Sequence, residues 1–352
     1  RDTGAVSMGQ LRLLKSSGGG ILSQRSGEAG FMLTNSSFLD IAGDGLRSTD
    51  ALGWWTVDGA EFRGPIGSDG ISVVDFGGSQ FRVGNSAFHN VGSDGISVVD
   101  FGGSQFRVSD SDFDNIGSDG IAVVDFGGSQ FLVDNGGFSS VGADGISIVD
   151  FGGSQFRVMA SSFEGPIGGD GISIVDFGGS QFRSHQNHFA SIDGSGISSR
   201  GGGGDFAIEE SQMEGPIGRD GVTIQGFSGE RAHIGTIELG SVGRIGISVR
   251  DALGWWTVDG ATFRGPVGFD GLQFIGVGEA GKRVKLTNLE GDGISRVGMR
   301  LLDGLGWWTL DGVDFRGTSQ MAVQASGFEA SAVLDLHRIH VTGATGIGVM
   351  LD

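Results

Sequence analysis

Apolar and polar positions alternate along this chain in short bursts. Ile71-Ser72-Val73-Val74 alternates apolar with small residues, which predicts a strand. Phe76-Gly77-Gly78-Ser79 interrupts it, and the paired glycines are expected to supply the positive φ of a tight corner. Gln80-Phe81-Arg82-Val83 alternates again, with Phe81 and Val83 on one side and Gln80 and Arg82 on the other. Gly84-Asn85 reads as a turn, Ser86-Ala87-Phe88-His89 as a third short strand, and Val91-Gly92-Ser93 leads into the next Asp-Gly corner. No stretch carries a helical period for long enough to form a helix.

The same pattern returns. The stretch from Asp69 to Val83 recurs almost unchanged from Asp94, Asp119, Asp144 and Asp170, a spacing of 25 residues broken once by an insertion. The phase then runs on through Ser195, Asp220, Ile245 and Asp270, with weaker copies at Gly19, Asp292, Gln320 and Thr345. A fixed period of this size points to a stacked repeat architecture. The expectation is an all-β solenoid of about fourteen coils, each with three short strands. It divides into a capping or linking segment over 1–18 and a single domain over 19–352. Seven side chains per coil are expected inside: Ile71, Val73, Phe76, Phe81, Val83, Phe88 and Val91. Each is worth about 1.5–3 kcal/mol when buried. Ordering the backbone costs about 1–2 kcal/mol per residue, so a coil stands only in a stack.

The segment Asn85–Ile96, which reads N-S-x-F-x-N-[IV]-G-S-D-G-I, resembles the repeat of right-handed parallel β-helices of the pectate-lyase-like and tailspike-like kind. The resemblance extends over residues 19–352 and implies that fold. It leaves activity open among lyases, hydrolases, epimerases, tailspikes and adhesins. The motifs expected of polygalacturonases are absent, as is the lysine-rich strand facing an acidic cluster of pectate lyases.

Two variants punctuate the coils. Asp50–Gly59 carries a Trp-Trp pair that recurs at Asp251–Gly260 and Asp303–Gly312. Alignment puts Trp55 in the inward slot of Phe81 and Trp54 in the outward slot of Gln80. Outward Trp54, Trp255 and Trp307 are candidate anchors for a partner or glycan. They fall on separate coils, which argues against one continuous sugar-binding strip. All four prolines (65, 166, 216 and 266) occupy one Gly-Pro-[Ile/Val]-Gly corner.

Composition narrows the partners. The net charge is −19, with 31 Asp, 11 Glu and only three Lys. This sign disfavours nucleic acid. No apolar run is long enough for a membrane-spanning helix, so no membrane insertion is expected. With no cysteine, there are neither disulfides nor thiolate metal sites. The chain begins at Arg1, which reads as a processed or excised chain.

In-register stacking turns repeated residues into columns. Asp75, Asp100, Asp125, Asp150 and Asp176 would stand about 4.8 Å apart, and repulsion between them needs relief. That relief could come from a backbone amide, as in Asx hydrogen bonds that cap the corners, from the Arg82, Arg107, Arg157 and Arg183 column, or from calcium. Calcium is therefore the one candidate cofactor. Asp69, Asp94, Asp119, Asp144 and Asp170 face the same problem. Gln80, Gln105, Gln130, Gln155 and Gln181 are expected to form an amide ladder.

Catalysis should appear where the repeat is broken. The break at Arg183–Glu210 brings His185, His188, Asp193, Arg200, Asp205 and Glu209. Asp193, Arg200, Asp205 and Glu209 are the candidate catalytic set. His185 and His188 are expected on opposite faces of a strand, unable to share a metal.

The near-identical central coils favour a non-enzymatic rod at an extracellular, cell-surface or virion location. It would self-associate head-to-tail into a filament or sheath, or laterally into a fibre. The alternative is a polysaccharide-active lyase or hydrolase with its groove near residues 185–210.

Overall fold

The computed structural model describes residues 5–25, 28, 30–318 and 320–352. Among the described residues every regular element is a β-strand. No helix among them is long and apolar enough to cross a membrane. Contacts cluster into two compact units, Arg1–Ser180 and Gln181–Asp352.

In the first unit seven strands, from Ile21–Gln24 to Ile172–Phe177, stack in parallel along one face. Their register is strict: Ile71 pairs with Ile96, Ile96 with Ile121, Ile121 with Ile146, and Ile146 with Ile172. The other two strands of each coil run on separate faces, as in Gln80–Gly84 and Ala87–Val91. In two coils they merge through a bent backbone into Gln105–Ile116 and Gln130–Val141. Three strands per coil, a parallel β-helix, is thus what the alternation encodes. Residues 1–4 of the N-terminal segment lie outside the described residues. Within the rest of it, Val6–Gly9 and Arg12–Ser16 are strands that pair with Phe31–Thr34 and Ser37–Ile41.

The core is the expected set. Ile71, Val73, Phe76, Phe81, Val83, Phe88 and Val91 are all at most 2% exposed. Identical residues in register form ladders. Phe88 and Phe113 stack at 4.8 Å with an interplanar angle of 1°, and Phe113 continues onto Phe138 at 4.9 Å. Outside, the glutamine ladder forms: Gln80 Nε2 donates to Gln105 Oε1 at 3.0 Å, and Gln105 to Gln130 at 2.9 Å.

The corners differ from expectation. Gly77 and Gly78 do not take positive φ; Asp75, Asp100, Asp125, Asp150 and Asp176 do, at 53–56°. Asp and Asn tolerate this left-handed conformation better than other side chains. Gly78 is needed for another reason. A Cβ there would lie 1.9 Å from the carbonyl oxygen of Gly53 in the previous coil. The second glycine therefore permits close approach between coils, while the aspartate turns the chain.

The proline motif solves a related corner. Asn90, Asn115 and Ser140 turn the chain with φ of 53–56°. Gly64 and Gly165 take that role at 81° and 89° where a proline follows. The extra residue is absorbed as a register shift between Phe88 and Val91 against Phe62 and Ile66.

The second unit repeats the plan with seven parallel strands, from Ile197–Gly202 to Ile347–Leu351. Its outward sheet face departs furthest from uniformity.

Candidate functional site

The face begins at the strands Gln181–His185 and Asp205–Glu209, which pair residue by residue: Arg183 with Ala207, His185 with Glu209. The next strand, Arg231–Leu239, places Arg231 beside Asp205 and His233 beside Ala207. Strand alternation sends Phe182, Ser184, Phe206, Ile208, Ala232 and Ile234 inward. It leaves Arg183, His185, Asp205, Glu209, Arg231 and His233 on the surface. The sequence break therefore becomes a cluster of side chains on adjacent strands.

Glu209 is its centre. Arg183 grips Oε2 with Nε at 3.0 Å and with Nη2 as well. His185 Nδ1 lies 3.8 Å from the same oxygen, and His233 Nε2 lies 3.9 Å from Oε1. On its other side the His185 ring meets Glu210, with Nε2 3.8 Å from Oε2. His185 Nδ1 is buried and makes no hydrogen bond. One imidazole thus stands between two carboxylates, with a guanidinium neutralising one of them. Histidine and carboxylate side chains are the residue types used in general acid–base chemistry.

Asp205 and Glu209 share the strand but sit four residues apart, about 13 Å. Paired glycosidase carboxylates work at about 5–9.5 Å, so these two do not act on one bond. Asp205 is instead held by Arg231, with Nη2 3.2 Å from Oδ2. Asp193 and Arg200 do not join the cluster. Asp193 is exposed at a corner, and Arg200 is exposed on Ile197–Gly202, a strand of the other face. Asp259, further along the column of Glu209, accepts hydrogen bonds from Thr287 Oγ1 at 2.7 Å and Asn288 Nδ2 at 2.8 Å. The Thr287 hydroxyl, more than any other contact, holds its carboxyl below the usual range.

His185 and His188 are separated as expected, but by a different device. A corner at Gln186, with φ of 56°, lies between them. His188 faces Glu214 at 3.7 Å on the neighbouring side of the coil.

The three outward tryptophans have distinct settings. Trp54 pairs with Gln80, as the alignment predicted, and its indole lies across Gly30, where a Cβ would come within 2.0 Å of the ring. Trp255 and Trp307 are 42% and 50% exposed. Their inward neighbours Trp256 and Trp308 are buried and donate Nε1–H to the carbonyls of Leu253 and Leu305 at 2.9 Å. Separate coils do not keep Trp255 and Trp307 apart: register places them two strands distant in one column. Trp255 also lines a concavity of about 550 Å³ with Glu230, Arg231, Ala232, His233, Thr257 and Lys282.

In the Asp69 column the relief comes from backbone amides, one of the expected sources. Asp69 Oδ1 accepts the N–H of Asp94 at 3.2 Å, Asp94 that of Asp119 at 3.1 Å, and Asp119 that of Asp144 at 2.8 Å. Their partners are backbone amides of the next coil, not of their own corner. Burial still pushes Asp69, Asp144 and Asp119 up, the last to about 7. The Asp75, Asp100, Asp125, Asp150 and Asp176 column, the calcium candidate, lies exposed at the corners. Among the described residues no group of three or more His, Cys, Asp or Glu is placed to hold a metal ion.

The profile of the family described as a right handed beta helix region matches residues 19–213, more than half the chain. The chain belongs to this right-handed β-helix family. No curated protein matches the sequence. Among solved structures it is similar to a double mutant of the periplasmic alginate epimerase AlgG, with TM-score 0.47 and 10% identity over 92% of this chain and 78% of that one. It is similar also to the catalytic domain of a GH87 alpha-1,3-glucanase bound to tetrasaccharides (TM-score 0.44, 13% identity, 88% of this chain and 64% of that one). A third is the catalytic unit of the GH87 alpha-1,3-glucanase from Streptomyces thermodiastaticus strain HF3-3 (TM-score 0.40, 12% identity, 92% and 63%). At these identities the likeness is one of fold.

The reading of the chain as a non-enzymatic rod is corrected by the geometry of this face: Arg183, His185 and His233 gather around Glu209, with Glu210 on the far side of the His185 ring, which uniform coils would not show. The physical premise of that reading also fails in the second unit. Uniform faces belong to the near-identical coils of the first unit, whereas the face bearing Glu209 is charged, aromatic and concave.

Proposed function

We propose that this chain is a polysaccharide-active enzyme, of the lyase or hydrolase class, whose groove lies on the outward face near residues 185–210. The observation that carries this reading is the cluster around Glu209. Arg183, His185 and His233 converge there on one carboxylate, with Glu210 on the far side of the His185 ring, at the place where an otherwise regular repeat is broken. Departures of this kind are where function is grafted onto a scaffold. In this reading His185 moves the proton, Glu209 and Glu210 flank its ring, and Arg183 holds Glu209 in place. High-molecular-weight glycans are met outside the cytoplasm, which supports an extracellular setting.

The test is incubation of the purified chain with a panel of neutral and acidic polysaccharides, following new reducing ends and unsaturated products. At least one polymer should be degraded. Glu209→Gln should slow that reaction by about 10²–10⁴-fold with an unchanged melting temperature. No degradation across the panel, or a Glu209→Gln variant as active as the parent, would overturn the reading.

A further inference from the structure

The outward column that starts at Asp205 continues coil by coil through Arg231, Trp255, Arg283 and Trp307. Arg231 pairs with Trp255, and Trp256 pairs with Val284, which sets Trp255 alongside Arg283; Arg283 in turn pairs with Trp307. The guanidinium of Arg283 lies over the Trp307 ring, 5.3 Å from its centroid, and Lys282 Nζ lies 6.0 Å from that of Trp255. Cations and indoles therefore alternate along one stripe, with the two exposed indoles two strand spacings apart, about 9.6 Å.

The charge of this stripe is unusual for the chain. Two of its three lysines, Lys282 and Lys285, flank Arg283, and Lys282-Arg283 is the one place where two Lys or Arg residues are adjacent. Among the described residues, no carboxylate lies within ion-pairing distance of Lys282 or Arg283. A protein with a net charge of −19 thus leaves two cations uncompensated beside two exposed aromatic rings. That combination suits a ligand with flat apolar ring faces and negative substituents.

The geometry points to an anionic polysaccharide, carrying carboxylate or sulfate groups, as the ligand of this ladder. Sugar rings stack on Trp255 and Trp307, and the acidic group between them is held by Arg283 and Lys282. The inference rests on the polysaccharide reading and deepens it. The concavity that joins Arg231, Trp255 and Lys282 also contains His233, whose ring faces Glu209. A chain lying along the ladder therefore passes the proposed catalytic cluster, and the ladder selects charge while the cluster does chemistry.

The probes are a polyuronate, a sulfated galactan and a neutral glucan, each cast into native gels for affinity electrophoresis of the full chain. Retardation is expected in the polyuronate or the sulfated gel, and which of the two separates carboxylate from sulfate recognition. It should weaken with salt. Arg283→Gln and Trp307→Ala should each weaken it by about 10- to 100-fold, and Trp307→Phe should restore part of the loss. Arg283 is exposed, so its variant also serves if Trp307→Ala fails to fold. Equal retention in the neutral gel, no retention in any gel, or full retention by Arg283→Gln would overturn the proposal. Ladder-dependent retention without degradation would leave the ladder standing and remove the enzyme. Degradation of a neutral glucan unaffected by the ladder variants would do the reverse.

Discussion

Replacing Asp119 by Asn removes one charge from a half-buried corner column and keeps an oxygen to accept the Asp144 N–H, which lies 2.8 Å from Oδ1. Burial is the main cause that pushes this carboxyl from 3.8 up to about 7; the Asp144 amide opposes the rise, and the charges of Asp144 and Asp94 add to it. The folded-state value is above the unfolded one. Between about pH 4 and 7 the folded protein therefore holds a proton that the unfolded chain has released. Stability falls as pH rises through that window, and the full penalty remains above it. A rise of about three pH units sets a ceiling of about 4 kcal/mol. Because the group is partly exposed, solvent screening reduces this to about 1–2 kcal/mol. Asp119→Asn should thus stabilise the protein by that amount at about pH 7.5 and do little near the unfolded value. Asp69 and Asp144 are also pushed up, so some slope will persist in the variant. Asp259, Asp311 and Asp314 are lowered and titrate below the window. Urea midpoints at several pH values, for parent and variant, measure the effect. A variant less stable than the parent at neutral pH, with the same pH slope, would show that the Asp119 charge is fully satisfied and refute the reasoning.

Two further substitutions test what holds the coils together. Gly78→Ala puts a Cβ 1.9 Å from the Gly53 carbonyl oxygen, whereas at Gly77 the nearest atom is Leu52 Cδ2 at 3.1 Å. The first change should cost about 2 kcal/mol or more and the second under about 0.5 kcal/mol in urea unfolding, the overpacking range against the surface range. Phe113→Ala empties a position fully buried between stacked Phe88 and Phe138. It should cost about 3–5 kcal/mol by the same measurement.

The fold was legible because every coil states it again. Period-two alternation identified strands, and the 25-residue phase fixed their register, so Phe81, Phe88 and Val91 could be placed in the core individually. The corners were less legible, since Asp-Phe-Gly-Gly offers three residues suited to a turn and the pattern does not say which takes positive φ. Asp75 took it, because Gly78 was committed to the close approach between coils. Glu209 was found because the repeat breaks there. Its partner His233 was missed because it comes from the next coil, in a stretch with no motif of its own. The Lys282-Arg283 pair carried a signal in composition alone, and only register showed that it lies between Trp255 and Trp307.

The same Trp-Trp motif should therefore have two different roles, and the difference is measurable. In the first unit the Trp54 indole lies over Gly30 and is half-buried, so it works as packing. In the second unit Trp255 and Trp307 are exposed beside cations, so they work as contacts for a ligand. Trp54→Ala should lower stability by about 1–3 kcal/mol and leave glycan retention unchanged. Trp255→Ala should lower retention and cost under about 1 kcal/mol in stability. Thermal melts paired with affinity gels on both variants separate the two effects. If Trp54→Ala weakened retention as much as Trp255→Ala, the indoles would be acting as a common set, and the setting of each residue on its own coil would not decide its role.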